Sequence, residues 1–379
     1  MKYRSQIQNR LAHLDDTMVA LAGTSKQETT PRMVSSPLLA ALLEAGTSHI
    51  YADTADTAEL KHLAADETGD ILREVHGNTV NQPLMQKVIE RYFSAESPAV
   101  WAHKLREQQR ELEQHELIPL LYAIVCARVG NDMVQSFANV RPWEVSLQLH
   151  MGLSDDPEAA KQVGRYLHRM VPSAFVKVPF TPHAAHCFLV ARDLEREGIP
   201  VNFTSTFSAR QAVAVGLLAN VSRTNIFMGR LNQGLQADLL GEHVCLEAQR
   251  ALLNLRQHVA IKTQLIVASM REWQSFPRLA GCDVFTAPCQ VIHDFRSQHD
   301  ISPQAIQSQL DTSYLDQLGV AADVLHLVGE EQIERLYALA LARPPRGDEV
   351  AKMAEYVRKH GLANGCRMLL NSNEFMFVH

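Results

Sequence analysis

Residues Ser173 to Phe180 read SAFVKVPF, an apolar run with one lysine, Lys177, at its centre. A strand covered on both faces is normally a near-continuous run of Val, Ile, Leu or Phe, so an ammonium group there needs a reason. One reading is that the stem runs along apolar surface and lifts the charge into water. The other is a reactive amine held inside the fold. A free lysine, with a pKa of about 10.4, is protonated at neutral pH. Burial and neighbouring cations favour its neutral form. A neutral amine attacks a carbonyl carbon and, with loss of water, forms a Schiff base. Its iminium accepts the electron pair of an adjacent carbon–carbon bond as that bond breaks.

Other polar residues fall late in short β-like runs. Asp53 lies in HIYADT, Asn81 ends HGNTVN and Gln148 lies in EVSLQL. Thr204 lies in PVNFTST, Arg230 in NIFMGRL and Ser269 in QLIVASM, with Arg271 next but one. A carboxylate such as Asp53 can take a proton from the hydroxyl of a departing fragment and later return it. Two guanidiniums can grip a phosphate by paired hydrogen bonds. Asp53 also has a plainer use, because DTAD could cap the helix that follows.

A fold must bring these groups to one place. The seven runs above, counting AFVKVPF around Lys177, and an eighth, DVFTAP, alternate with helical patterns such as HAAHCFLVARDLEREG, which stops at Gly198. Alternating strands and helices mean a parallel sheet, and eight units suggest an α/β fold of the closed (β/α)8 TIM-barrel kind. In such a barrel functional groups gather at the carboxyl ends of the strands. An open doubly wound sheet fits less well, since no glycine-rich phosphate loop follows the first run. Residues 1–46 read as an N-terminal helical extension, 47–300 as the barrel, and 301–379 as C-terminal helices packing on or near it. Pro344 and Pro345 break the chain before the charged helix GDEVAKMAEYVRKHGLA. Both extensions are expected to cover barrel ends.

The chain has 379 residues, 46% of them hydrophobic, enough for one large domain or two smaller ones. Its net charge of −6 is well mixed, and no basic block suggests a nucleic-acid or membrane partner. No unbroken apolar run approaches the roughly 18 residues of a membrane span, and MKYRSQIQNRLAHLDD lacks the apolar core of a secretory signal. Six cysteines without CxxC pairs suit a reducing compartment, so a soluble cytoplasmic protein is expected. His183, His186 and Cys187 stand close together, but with no fourth ligand in sight no metal is expected.

The runs resemble those of a known family. YADTADTAEL resembles the first-strand motif of the transaldolases, and GNTVNQPL is similar to their second-strand Thr-Thr-Asn-Pro-Ser-Leu motif. FVKVPFT resembles their Schiff-base lysine strand. GIPVNFTSTFSARQA, IFMGRL, LIVASMREW and AGCDVFTAP resemble the fifth to eighth strands, and the order holds from about residue 48 to 290. The resemblance implies a (β/α)8 class I aldolase that moves a dihydroxyacetone unit between sugar phosphates, with neither metal nor cofactor. It leaves room for a homo-oligomer, since family members assemble. Lys177 would carry the Schiff base and Asp53 the acid/base role. Asn81 and Asn202 would orient the dihydroxyacetone hydroxyls, and Thr204 would hold the catalytic water. Arg230, Ser269 and Arg271 would bind phosphate.

The departures are specific. Gln148 stands where transaldolases usually have a glutamate; it can position a water but cannot exchange a proton. The related fructose 6-phosphate aldolases also have glutamine there, but with a tyrosine at the position of Phe227, where this chain makes the transaldolase choice. Asn225 stands where a serine near the phosphate is usual, and Val80 and Gln82 replace a threonine and a proline. The expectation is transaldolase-type transfer. The alternatives are fructose 6-phosphate aldolase-like cleavage, or a catalytically weak paralogue that binds sugar phosphates.

Overall fold

Eight runs, none longer than six residues, form the strands of a closed, all-parallel barrel in the computed structural model of the chain. The structure describes residues 6–23, 32–63, 71–93, 97–110, 112–138, 141–181, 186–314, 317, 334, 337 and 343–360. In chain order the strands are β1 His49–Asp53, β2 Val75–Thr79, β3 Glu144–Gln148, β4 Ala174–Pro179, β5 Val201–Thr206, β6 Arg223–Phe227, β7 Gln264–Ala268 and β8 Val284–Ala287. Each pairs with its neighbour in sequence, and β8 closes the ring on β1 from Val284↔His49 to Ala287↔Ala52. This is the (β/α)8 barrel expected from the alternation of elements.

Three strand ends that carry site residues differ from the sequence reading, the first being β2, which ends at Thr79 so that Asn81 lies beyond it. The run Asn225 to Leu231 is not one strand: β6 ends at Phe227, and Met228–Leu235 is a helix, with Arg230 in its first turn. Likewise β7 ends at Ala268, so Ser269 and Arg271 lie beyond it. Short apolar runs look alike in a strand and in a buried helical turn, so periodicity could not divide them.

Alternation decides which side chains enter the barrel. Asn202 of β5 donates to Ser146 of β3 at 3.1 Å, and these strands are not neighbours, so the bond crosses the interior. Phe203, one residue on, faces out and packs against Phe188 with ring centroids 5.1 Å apart. The same parity puts Phe175, Lys177 and Pro179 of β4 inside. At the amino end Arg223 of β6 pairs with Glu144 of β3 at 3.1 Å and lies 4.0 Å over Phe175, plugging the floor. The Tyr51 hydroxyl donates to the same carboxylate. Burial alone would raise the Glu144 carboxyl, but Arg223 and the Tyr51 hydrogen bond hold it below its ordinary value.

The helix Gln114–Phe137 is long and apolar enough by composition to cross a membrane. Most of its apolar residues, Leu120, Ile124, Val125 and Met133 among them, are buried inside the fold, while Ile118 is exposed. A helix apolar on all sides is at home in a large core as well as in a bilayer. The N-terminal helix Gln6–Ala22 packs against this helix and against Pro157–Met170. Tyr166 donates to the Met18 carbonyl at 3.0 Å and Arg128 to that of Leu21 at 2.6 Å. It therefore lies on the helical layer outside the strands, where its buried Leu14, Met18 and Leu21 find apolar partners.

The chain divides into two compact units, Met1–Ser313 and Tyr314–His379. In the second, the helix Glu349–His360 is fixed at its start by Arg343, whose guanidinium pairs with Glu349 at 2.9 and 3.0 Å.

Candidate active site

At the carboxyl ends of the strands a cavity of about 820 Å³ opens into the barrel. Lys177 lines its deep end and is 4% exposed, so its stem does not reach bulk water. Its Nζ donates to the Val80 carbonyl at 3.4 Å, and no carboxylate pairs with it among the described residues. Burial pushes its pKa below the ordinary lysine value; Asp53 pulls it back up, and the Arg230 guanidinium lowers it further. The fold thus shifts the amine towards the neutral form that attack on a carbonyl requires.

The strand register sets what surrounds the amine. Gln148 of β3 lies beside Lys177 and lines the cavity. Asp53 ends β1 opposite Thr79 of β2, whose hydroxyl donates to the carboxylate at 2.8 Å. Thr79 is in turn 2.7 Å from the Thr286 hydroxyl on β8. Helix capping falls to a different acid: Asp56 accepts from the Ala58 N–H at 2.9 Å and caps Thr57–His62. Asp53 is therefore left facing the cavity. Asn81 also lines it, and its Oδ1 accepts from the Leu84 N–H at 3.0 Å, starting the helix Gln82–Phe93.

The mouth is cationic on one side. Arg230 and Arg271 line it, are exposed, and pair with no carboxylate among the described residues. Phe227 lines the same side, with Arg230 5.1 Å over its ring. Gly229 brings together the two segments that carry these arginines. A Cβ there would lie 2.1 Å from the Ser269 carbonyl oxygen and 2.9 Å from Cγ of Arg271. Only glycine allows so close an approach of two backbones. Ser269 has φ 64°, and its buried hydroxyl has no protein partner.

Three residues expected to touch substrate are elsewhere. Asn202, Thr204 and Asn225 are at most 1% exposed and lie in the layer beneath the cavity wall. Asn225 donates to Asn202 Oδ1 at 3.2 Å, while the Thr204 hydroxyl has no protein partner. In their place the structure adds Thr79, Thr286 and Ser205 to the lining. The signal for Thr79 was in the sequence: it stands two residues before Asn81 and shares the inward parity of β2. Of the HAAHC residues, His183 lies outside the described residues. His186 contacts the Ser154 carbonyl, and no cluster of three metal-binding side chains occurs among the described residues.

A buried amine with a lowered pKa, a carboxylate lining the same cavity and two guanidiniums at the rim suit imine chemistry on a phosphorylated carbonyl compound. The model of the Transaldolase/Fructose-6-phosphate aldolase family matches residues 50–330. The chain is similar to a probable transaldolase of Aquifex aeolicus, 32% identical over 167 residues, 44% of this chain and 70% of that protein. A probable transaldolase of Rhodospirillum centenum is 32% identical over 173 residues, 44% of this chain and 68% of that protein. A transaldolase of Chlamydia caviae is 28% identical over 192 residues, 47% of this chain and 56% of that protein. With the family model covering most of the chain, this protein belongs to the transaldolase/fructose-6-phosphate aldolase family.

Proposed function

We propose that this chain transfers a dihydroxyacetone unit between sugar phosphates through a Schiff base on Lys177. The neutral Nζ attacks the ketose carbonyl carbon, and loss of water gives the iminium. Asp53 takes the proton of the hydroxyl two carbons away. The intervening carbon–carbon bond breaks, its electron pair enters the iminium to form an enamine, and an aldose phosphate leaves. The enamine then attacks the carbonyl carbon of an acceptor aldose phosphate, whose oxygen takes the proton back from Asp53. Water hydrolyses the new iminium and frees the amine.

The remaining residues take supporting roles. Gln148, beside Lys177 in register, and Thr204, with its unpartnered hydroxyl, hold the water. Asn81 orients the hydroxyls of the bound unit, and Asn202 braces the layer below Lys177. Arg230, Arg271 and Ser269 hold the phosphate by charge-assisted hydrogen bonds. The protein would act in the cytoplasm on small sugar phosphates, with neither nucleic acid nor membrane as partner, and as a homo-oligomer.

The carrying observation is Lys177: an amine 4% exposed, at the head of a cavity, with no paired carboxylate among the described residues. Borohydride reduction with fructose 6-phosphate present should add the mass of a reduced dihydroxyacetone unit at Lys177. Absence of the adduct from folded protein would refute the reading and leave a sugar-phosphate-binding paralogue. Gln148 favours a second reading, fructose 6-phosphate aldolase-like cleavage, because an amide cannot relay a proton as a glutamate can. Steady release of free dihydroxyacetone without an acceptor would establish that second reading over transfer.

A further inference from the structure

Ser205 lines the cavity at the carboxyl end of β5, with φ 68°. By alternation it shares a face with Phe203, which points outward onto Phe188. The left-handed backbone turns it to the mouth instead, a conformation that disfavours any residue with a Cβ. A specific contact holds it there. The Ser205 N–H donates to Asn225 Oδ1 at 3.2 Å, Asn225 Nδ2 donates to Asn202 at 3.2 Å, and Asn202 donates to Ser146 at 3.1 Å. The β5–β6 register breaks at the same point, between Phe203 and Thr206. Asn225, 1% exposed, thus uses its amide to shape the wall.

Three consecutive strands then share one arc of the mouth. Past the end of β7, Ser269 has a matching φ of 64°. Arg230, from the first turn after β6, and Arg271 line the same cavity as the two serines. Two hydroxyl donors and two guanidiniums without ion pairs form a donor set for a tetrahedral dianion. We propose that Ser205 is a further binding residue for the phosphoryl group of the substrate, and that Asn225 is the positioning residue that turns its hydroxyl into the mouth. The proposal rests on reading the site as one for sugar phosphates.

The probe is inorganic phosphate, titrated into the full chain by calorimetry. Ser205→Ala should weaken phosphate binding about tenfold, as loss of a hydrogen bond to a charged group does. Its KM for fructose 6-phosphate should rise more than its kcat falls. Ser205→Gly, which relieves the left-handed strain, should show the same loss in a chain at least as stable. Asn225→Ala should weaken phosphate binding similarly, and the double variant Ser205→Ala/Asn225→Ala should lose no more than Ser205→Ala alone. Phosphate affinity equal to wild type in Ser205→Ala, or additive losses in the double variant, would overturn the proposal. So would a wild-type chain that binds no phosphate, or an equal loss in trapping dihydroxyacetone, which carries none. If wild type fails to trap dihydroxyacetone on Lys177 yet the phosphate losses appear, the enzymatic reading falls and the role of Ser205 stands.

Discussion

Replacing Gly229 by alanine tests how the cationic mouth is built. The added Cβ would sit 2.1 Å from the Ser269 carbonyl oxygen, and ordinary contact begins near 3.4 Å, so the two segments must part by about 1.3 Å. One segment carries Arg230 and the other Ser269 and Arg271, so parting them separates the guanidiniums proposed to share one phosphate. Overpacking of a buried site costs about 1–3 kcal/mol of stability. A misplacement of about 1 Å at a positioning group can cost about a hundredfold in turnover. Gly234, five residues along the same helix, is the control: nothing lies within 4 Å of a Cβ there. Gly234→Ala should be neutral or stabilise by up to about 1 kcal/mol, since glycine in a helix is the poorer residue. Denaturant midpoints give the stability terms, and titration with inorganic phosphate gives the binding term. A Gly229→Ala chain that binds phosphate as wild type does, with an unshifted midpoint, would refute the close-approach argument.

Three further outcomes follow from the geometry. Thr79→Val removes the 2.8 Å hydrogen bond to Asp53 and should slow cleavage about tenfold while dihydroxyacetone is still trapped on Lys177; loss of trapping as well would show that Thr79 acts on the amine. Phe227→Tyr places a hydroxyl at the cavity wall and should raise release of free dihydroxyacetone without an acceptor, and an unchanged rate would count against this placement of the ring. Burial, with Arg141 and His49 nearby, lowers His76 at the barrel floor to about 4, below the roughly 6.5 of an unfolded histidine. The neutral ring therefore stabilises the fold above about pH 6.5, and that stability is lost as pH falls towards 4. The loss is about 2 kcal/mol at pH 5, an upper figure because the ring is partly exposed. His76→Gln should flatten the pH dependence of the denaturant midpoint, and an identical slope in both chains would exclude this source.

Much of the site was legible because barrel strands are short and their polar residues are few. A lysine inside SAFVKVPF, an acid late in the first run, an arginine in the sixth and another just after the seventh were visible as departures from the apolar norm. Eight of the eleven site residues read from sequence line the cavity. Asn202, Thr204 and Asn225 did not come to its surface, because inward parity alone does not give depth: a side chain can enter the barrel below the cavity floor. Ser205 was illegible for the opposite reason, since its parity points outward and only the left-handed backbone at φ 68° reverses it. Arg230 was assigned to a strand because IFMGRL is apolar enough for either element; the turn into a helix at Met228 depends on Gly229 meeting a distant segment.

The amino-acid sequence by itself determined the alternation of eight strands with helices, and with it the closed barrel. It also set the residue types able to do imine chemistry, because period and composition are properties of the chain alone. The tertiary structure decided the state of those residues. Lys177 is shifted towards its neutral form because β2, β3 and β5 exclude water from around it. Asp53 faces the cavity because Asp56, three residues on, caps the helix. The two arginines line one cavity where backbones far apart in sequence touch at Gly229. Charge state and hydrogen-bond partner depend on what lies across the barrel, and that distance is not written in the order of the residues.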